Sequence, residues 1–180
     1  PASESHVTRP LSPYGISKLC GEQYLSYYQR VSGLQVVNLR YANVYGPRQD
    51  PDGEAGVVAI FIQKLLNNEQ AIIYGNGRQT RDFVYVEDVI EANLAVMSQE
   101  TQGTYNVGTG QETSINDLLR LLITHTNSTC KEVHGPARKG EQARSVIDSS
   151  KIRQELSWEP RTELSEGLKR TVDYFRERMG

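Results

Sequence analysis

Apolar residues recur at helical spacing early in the chain and as short runs thereafter. After a polar opening from Pro1 to Leu11, which reads as an extended loop, Ser12 and Pro13 supply a helix cap and a first-turn proline. Ile16, Leu19, Cys20, Tyr24, Tyr27 and Tyr28 follow close to helical intervals as far as Val31, and Gly33 ends the helix. Leu34 to Leu39 is a β-branched run without clean alternation, the pattern of a strand buried on both faces of a parallel sheet. Tyr41 to Asp52 carries Asn, Gly and prolines and predicts a loop leaving that strand. Further on, the pattern predicts a helix over Val57 to Asn67, a strand over Ala71 to Tyr74, a turn over Asn76 to Thr80 and an extended piece over Phe83 to Val86. Glu87 to Met97 reads as a helix with Val89, Ala92, Ala95 and Val96 on its apolar face. Thr104 to Val107 reads as a strand, and Ser114, with Asp117 three residues on, caps a helix over Ile115 to Thr124. Lys131 to His134 and Arg144 to Ile147 read as short strands. Asp148 caps a short helix to Leu156, and Leu164 to Met179 is an amphipathic helix. Helix followed by buried strand predicts an α/β fold.

Composition narrows the functional classes. With 37% hydrophobic and 23% charged residues, the 180-residue chain reads as globular and long enough to hold a core without a metal or disulfide staple. Cys20 and Cys130 stand far apart with no partners at ligand spacing, which argues against zinc and a disulfide framework. A formal net charge of -2 leaves no diffuse basic field for nucleic acid. The longest apolar run, Gly56 to Ile62, is far too short for a bilayer, and the opening does not resemble a signal peptide, so the chain reads as soluble and cytoplasmic. His6, His125 and His134 form no constellation and receive no role.

The first candidate chemistry is Tyr14 and Lys18. Four residues apart on a helix, they share one face, and an ammonium held beside a phenol favours the phenolate, a usable general base. On spacing alone, a packed aromatic beside a solvated lysine is the simpler reading.

The neighbouring residues change that balance. The segment SPYGISKLCGE around Tyr14, followed by Arg40-Tyr41-Ala42-Asn43-Val44-Tyr45-Gly46-Pro47, then Arg81-Asp82-Phe83, Tyr105-Asn106-Val107-Gly108, and Arg138-Lys139-Gly140-Glu141 with Asp148 and Lys151, resembles the extended short-chain dehydrogenase/reductases, within them the nucleotide-sugar epimerase and dehydratase group. These motifs fall in the family's order and cover nearly the whole chain. The resemblance implies the C-terminal part of a Rossmann-like parallel sheet with a small α/β substrate-binding subdomain. Residues 1–50 would be the part of the NAD-binding domain that carries the Tyr-Lys helix, and 51–180 mainly the nucleotide-sugar-binding subdomain, with the chain returning to the Rossmann part near 82–110. The family's glycine-rich pyrophosphate turn and its catalytic Ser or Thr are not among these residues. The glycine pairs at Gly75 and Gly108 lack the required spacing, so the chain is expected to correspond to the portion after the fifth strand.

What the resemblance implies for function is 4-epimerisation of UDP-glucose and UDP-galactose, with N-acetylated forms also possible substrates: oxidation at C4 by NAD, rotation of the 4-keto sugar, and return of hydride to the other face. Tyr14 would act as base, and Lys18 would assist it and hold the nicotinamide ribose. Tyr41 is counted with them toward the cofactor. Asn43 alone reads as a turn former; in its motif it is expected to bind the diphosphate. Arg81 and Arg138 are expected to grip the diphosphate through bidentate forks. Val57 and Tyr74 align with the uracil and sugar-diphosphate pocket, although ordinary packing explains them equally well. Ser145, counted without gaps from Arg138, falls where a residue closes the pocket around the sugar C2 substituent, and its small size would admit an N-acetyl group. Asp82, Asn106 and Asp148 read as backbone-satisfying residues. The alternatives are a dehydratase or decarboxylase of the same superfamily, or a truncated, non-catalytic module that binds a UDP-sugar. A homodimer or larger assembly is expected from an incompletely covered sheet.

Overall fold

The computed structural model describes residues 1–52, 56–138 and 140–179. Helix α1 (Pro13–Ser32) begins as its cap predicts: Ser12 is extended, and its Oγ accepts the Gly15 N–H at 3.1 Å. Gly33, at φ 65°, turns the chain out of the helix. Strands β1 (Val37–Tyr41) and β2 (Asn43–Tyr45) follow. Then come α2 (Val57–Leu66), β3 (Ile72–Tyr74), β4 (Thr80–Arg81), β5 (Phe83–Tyr85), α3 (Val86–Met97), β6 (Gly103–Val107), β7 (Thr113–Ser114), α4 (Ile115–Thr126), β8 (Val133–Gly135), β9 (Arg144–Ser145), α5 (Ser150–Leu156) and α6 (Leu164–Met179).

Strand pairing is almost entirely parallel. β1 pairs with β6, from Val37 opposite Gly103 to Tyr41 opposite Val107, and β2 pairs with β5 from Asn43 opposite Phe83. The change of partner occurs at Ala42, whose N–H donates to Val107 O at 2.9 Å, while the next amide, Asn43, donates to Asp82 O at 2.8 Å. β3 pairs with β8, and β4 lies between β9, parallel, and β7, antiparallel. This is the α/β architecture the pattern predicts.

Two apolar clusters support these strands. One joins α2, α4 and α6 through Phe61, Ile62, Leu65, Leu118, Leu122, Leu168 and Val172 beneath Tyr45, Phe83 and Tyr85. The other packs α3 and α5 on β6 through Val89, Ala92, Tyr105, Val107, Ile152 and Trp158. Asp88, buried at the start of α3, accepts the Arg161 and Thr162 amides at 3.0 and 3.2 Å, which fixes the approach to α6. Among the described residues no helix is long and apolar enough to cross a membrane.

Several local expectations are corrected. The strand expected at Leu34 to Leu39 lies at Val37–Tyr41, and the loop expected from Tyr41 contains β2, because the ladder partners, β6 for β1 and β5 for β2, lie 66 and 40 residues downstream. Val37 to Arg40 are half-buried rather than buried on both faces, since they line a cavity described below. The opening segment is tied down as well: Ala2 donates to Val146 O at 3.0 Å and accepts from Asp148 N at 2.9 Å, bridging to Ile147. At α5 the N-cap is Ser149, with Asp148 one residue earlier; Asp148 Oδ1 takes the Ser150 N–H at 2.9 Å, while Ser149 Oγ is engaged with both the N–H and the carbonyl of Gly108, each at 3.0 Å.

Candidate active site

Two cavities adjoin where β1 passes through Ala42 into the start of β2. The first, about 800 Å³, is lined by Tyr14 and Lys18 from α1, by the β1 stretch that includes Tyr41, and by Asn43, Gln49, Gly56 and Val57. The second, about 390 Å³, is lined by Asn43, Val57, Tyr74, Arg81 and Arg138, with Lys64 and Glu141. Asn43, Gly56 and Val57 line both, so the two form neighbouring compartments with a shared wall.

On the first side, the helical spacing of Tyr14 and Lys18 is realised: Lys18 Nζ stands 5.1 Å from the centre of the Tyr14 ring. Both side chains are exposed, Tyr14 at 61%, and Lys18 makes no ion pair or hydrogen bond among the described residues. A phenol and an uncommitted ammonium that line one cavity can share a proton with a ligand hydroxyl. Tyr41 donates its hydroxyl to Asn93 Oδ1 at 3.1 Å, which aims it toward α3 while its residue still lines the cavity. α1 is held against β1 by Arg40, whose Nε and Nη2 reach the two carboxylate oxygens of Glu22 at 2.8 and 2.6 Å. That fork pushes the Arg40 guanidinium further up, with burial opposing it. Tyr14, Lys18 and Glu22 lie at successive four-residue steps on one helical face, so this ion pair sets where the first two sit.

On the second side, Arg138 lies over the Tyr74 ring, its Cζ 4.0 Å from the ring centre. Arg81 is placed differently. Its Nη1 donates to the Thr80 and Gln142 carbonyls at 2.8 and 2.7 Å, and its Nη2 faces Glu141 Oε1 at 3.4 Å. One edge of this guanidinium therefore holds the chain, and an anionic ligand would have to displace Glu141 from the other. The next residue, Asp82, is buried and accepts the Thr109 N–H and hydroxyl at 2.9 and 2.6 Å and the Gly110 N–H at 3.0 Å. It anchors the turn after β6 and so fixes β4, as the reading of Asp82 as a backbone-satisfying residue expects.

The structure thus brings Tyr14, Lys18, Tyr41, Asn43, Val57, Tyr74, Arg81 and Arg138 to two adjoining cavities. It does not bring Ser145 into the lining of either: Ser145 lies on β9 opposite Arg81, and its carbonyl accepts the Asp82 N–H at 2.9 Å. Lys139 lies outside the described residues. Gln49, Lys64 and Glu141 line the cavities without having been singled out. Lys64 had a legible signal, because Val57, Ile60, Phe61 and Lys64 follow the i, i+3, i+4, i+7 stripe of one helix face. Gln49 had none. Its Nε2 donates to Val44 O at 3.0 Å, and its Oε1 is buried without a partner among the described residues.

With this geometry in view, the relatives can be placed. A family model described as GDP-mannose 4,6 dehydratase matches residues 1–171. The chain belongs to that family. Its solved relatives are NAD-dependent epimerases of the extended short-chain dehydrogenase/reductase type, and the chain matches their C-terminal part. A UDP-glucose 4-epimerase from Thermotoga maritima, solved with UDP-glucose, is similar with a TM-score of 0.97 and 47% identity over 100% of this chain and 58% of that one. One from Thermus thermophilus, solved with NAD, gives a TM-score of 0.91 at 41% identity over 97% and 57%. A UDP-glucose 4-epimerase from Mycolicibacterium smegmatis is 41% identical over 98% of this chain and 56% of its own length. A UDP-N-acetyl-alpha-D-glucosaminuronate decarboxylase from Bacillus cytotoxicus is 34% identical. The chain spans somewhat more than half the length of the curated relatives it matches. Within this family, then, it contributes the cavity with the Tyr-Lys pair and the cavity with the two arginines.

Proposed function

We propose that this chain carries the proton-transfer and nucleotide-sugar-binding residues of an NAD-dependent UDP-hexose 4-epimerase. The observation that carries the reading is the shared wall: Asn43 and Val57 line both the compartment that holds Tyr14 and Lys18 and the one that holds Tyr74, Arg81 and Arg138. A UDP-sugar lying across that wall would place its sugar toward Tyr14 and its diphosphate and base toward the arginines and Tyr74.

NAD, the cofactor of the family, supplies the hydride acceptor when bound. Tyr14 removes the proton of the sugar hydroxyl and returns it, and Lys18 stabilises the phenolate with its charge while holding a ribose hydroxyl. Asn43 donates from its amide to the diphosphate, giving up the 3.2 Å bond its Nδ2 makes to Asp82 O. Arg138 meets the diphosphate as a fork, and Arg81 adds its free edge once Glu141 withdraws. Exposed Tyr24, Tyr27, Tyr28 and Val31 on α1 support self-association of the protein. The 180-residue polypeptide alone contains no glycine-rich pyrophosphate turn and is expected to bind UDP-sugar but to show no turnover with added NAD.

The decarboxylase relative keeps a second reading in the same superfamily. A calorimetric panel of UDP-glucose, UDP-galactose, dTDP-glucose and UDP-glucuronic acid separates them. The epimerase reading expects UDP-glucose and UDP-galactose, whose sugars are uncharged, to bind at least about tenfold more tightly than the other two, about 1.4 kcal/mol. Preference for dTDP-glucose or for the uronic acid would overturn it in favour of a dehydratase or a decarboxylase.

A further inference from the structure

His134 lies on β8 in register with Ile73 of β3, the strand whose Ile72, Ile73 and Tyr74 line the second cavity. Its Nδ1 stands 2.8 Å from the Gly75 carbonyl oxygen and its Nε2 2.9 Å from Glu132 Oε1. A carbonyl and a carboxylate only accept, so both bonds form only when both ring nitrogens carry hydrogen, as in the imidazolium. Gly75 is gripped from its other side too, its N–H donating to Gly135 O at 3.0 Å, and its φ of 76° turns the chain immediately after Tyr74. Only that one residue separates the His134 bond from the ring on which Arg138 lies.

We infer that His134 is a positioning residue for the nucleotide site: as an imidazolium it fixes the Gly75 carbonyl and so the aim of the Tyr74–Arg138 stack, and sugar-nucleotide binding weakens when the ring loses its proton. The inference rests on the reading that Tyr74 and Arg138 hold the nucleotide. The charged groups around the ring are Glu132 from its own strand region and, from α4, Arg120, whose Nη2 stands 3.0 Å from Glu132 Oε2 and whose Nη1 reaches Asp117 at 3.1 Å. The turn after β3 offers the Gly75 carbonyl. Arg120 and His134 thus take one Glu132 oxygen each, and both hold that carboxyl below its usual range, His134 more strongly. Reciprocally, Glu132 first and the Gly75 carbonyl second raise His134 above its ordinary value. The sign follows: the two-bond arrangement is complete below the ordinary histidine value and is lost as pH rises through the raised one.

The test is the affinity for UDP-glucose, which neither gains nor loses a proton between about pH 5.5 and about 8.5, measured across that range on wild type, His134→Gln and Glu132→Gln. Expected is a loss of about fivefold in wild type with rising pH, the worth of one net hydrogen bond. His134→Gln should bind with a flat profile near the weak, high-pH level, and Glu132→Gln should move the midpoint to lower pH. Equal pH slopes in wild type and His134→Gln, with tight binding in both, would overturn the inference and leave the nucleotide reading intact. An unmoved midpoint in Glu132→Gln would also overturn it. Failure of wild type to bind at any pH would remove the nucleotide reading and the inference together.

Discussion

The two sides of the site are built on different physics. α1, which carries Tyr14 and Lys18, has no buried residue along its 20 positions, whereas α4, with 12, buries Ile115, Leu118, Leu119 and Leu122 against the body that supports the arginines. Tyr14 and Lys18 are therefore presented by an element attached through side-chain polar bonds, chiefly Arg40 to Glu22 and Gln29 to Gln102 at 2.8 Å. Arg81 is fixed by the ladder of β4 and Tyr74 by that of β3, both over an apolar core, and Arg138, in the loop after β8, rests on Tyr74. Apolar burial is worth far more per residue than a partly exposed polar link, so the body beneath Tyr74 and Arg81 is the stable part of this chain and α1 the part most easily displaced.

The largest effect that tests this contrast is on stability. Leu122→Ala empties a fully buried position under the arginine side and should cost about 2 to 5 kcal/mol in urea denaturation. Tyr24→Ala, on the exposed face of α1, should stay within about 0.5 kcal/mol. Comparable losses in both variants would mean that α1 is as integral as the body.

A smaller and more local effect is expected from Arg40→Ala. It removes the fork that ties α1 to β1, whose partners are 27% and 22% exposed, and should lower amide-exchange protection in α1 by about tenfold while leaving α2 and α4 unchanged. Uniform loss across the chain would show the pair to be part of the global core instead, and no change would show that α1 is held by other contacts.

The same contrast explains what was legible in the sequence. Ser12, Pro13 and Gly33 bracket α1 through local backbone chemistry, so its ends and the shared face of Tyr14 and Lys18 could be read directly. Asn43–Tyr45 looked like loop because its ladder partner, Phe83–Tyr85, lies 40 residues downstream, beyond what turn-forming residues reveal. Arg81 and Arg138 look alike as members of two motifs, yet Arg81 spends both donors of its Nη1 on the Thr80 and Gln142 carbonyls while Arg138 rests on Tyr74. Those commitments arise from β4 pairing with β9, and no spacing rule encodes them. His134 was unremarkable in sequence for the same reason: its two acceptors come from a turn 59 residues away and from a neighbour two positions back.

The central claim is that binding resides with the arginine side and proton transfer with α1. One calorimetric titration with UDP-glucose tests it most directly, run on wild type, Tyr14→Phe and Arg138→Ala. Removing the phenol hydroxyl should change the affinity by less than about twofold, whereas removing the guanidinium should weaken it by about 1.5 to 3 kcal/mol, the worth of a hydrogen bond to a charged group. An affinity unchanged in Arg138→Ala, or lost in Tyr14→Phe, would contradict the division of labour drawn here.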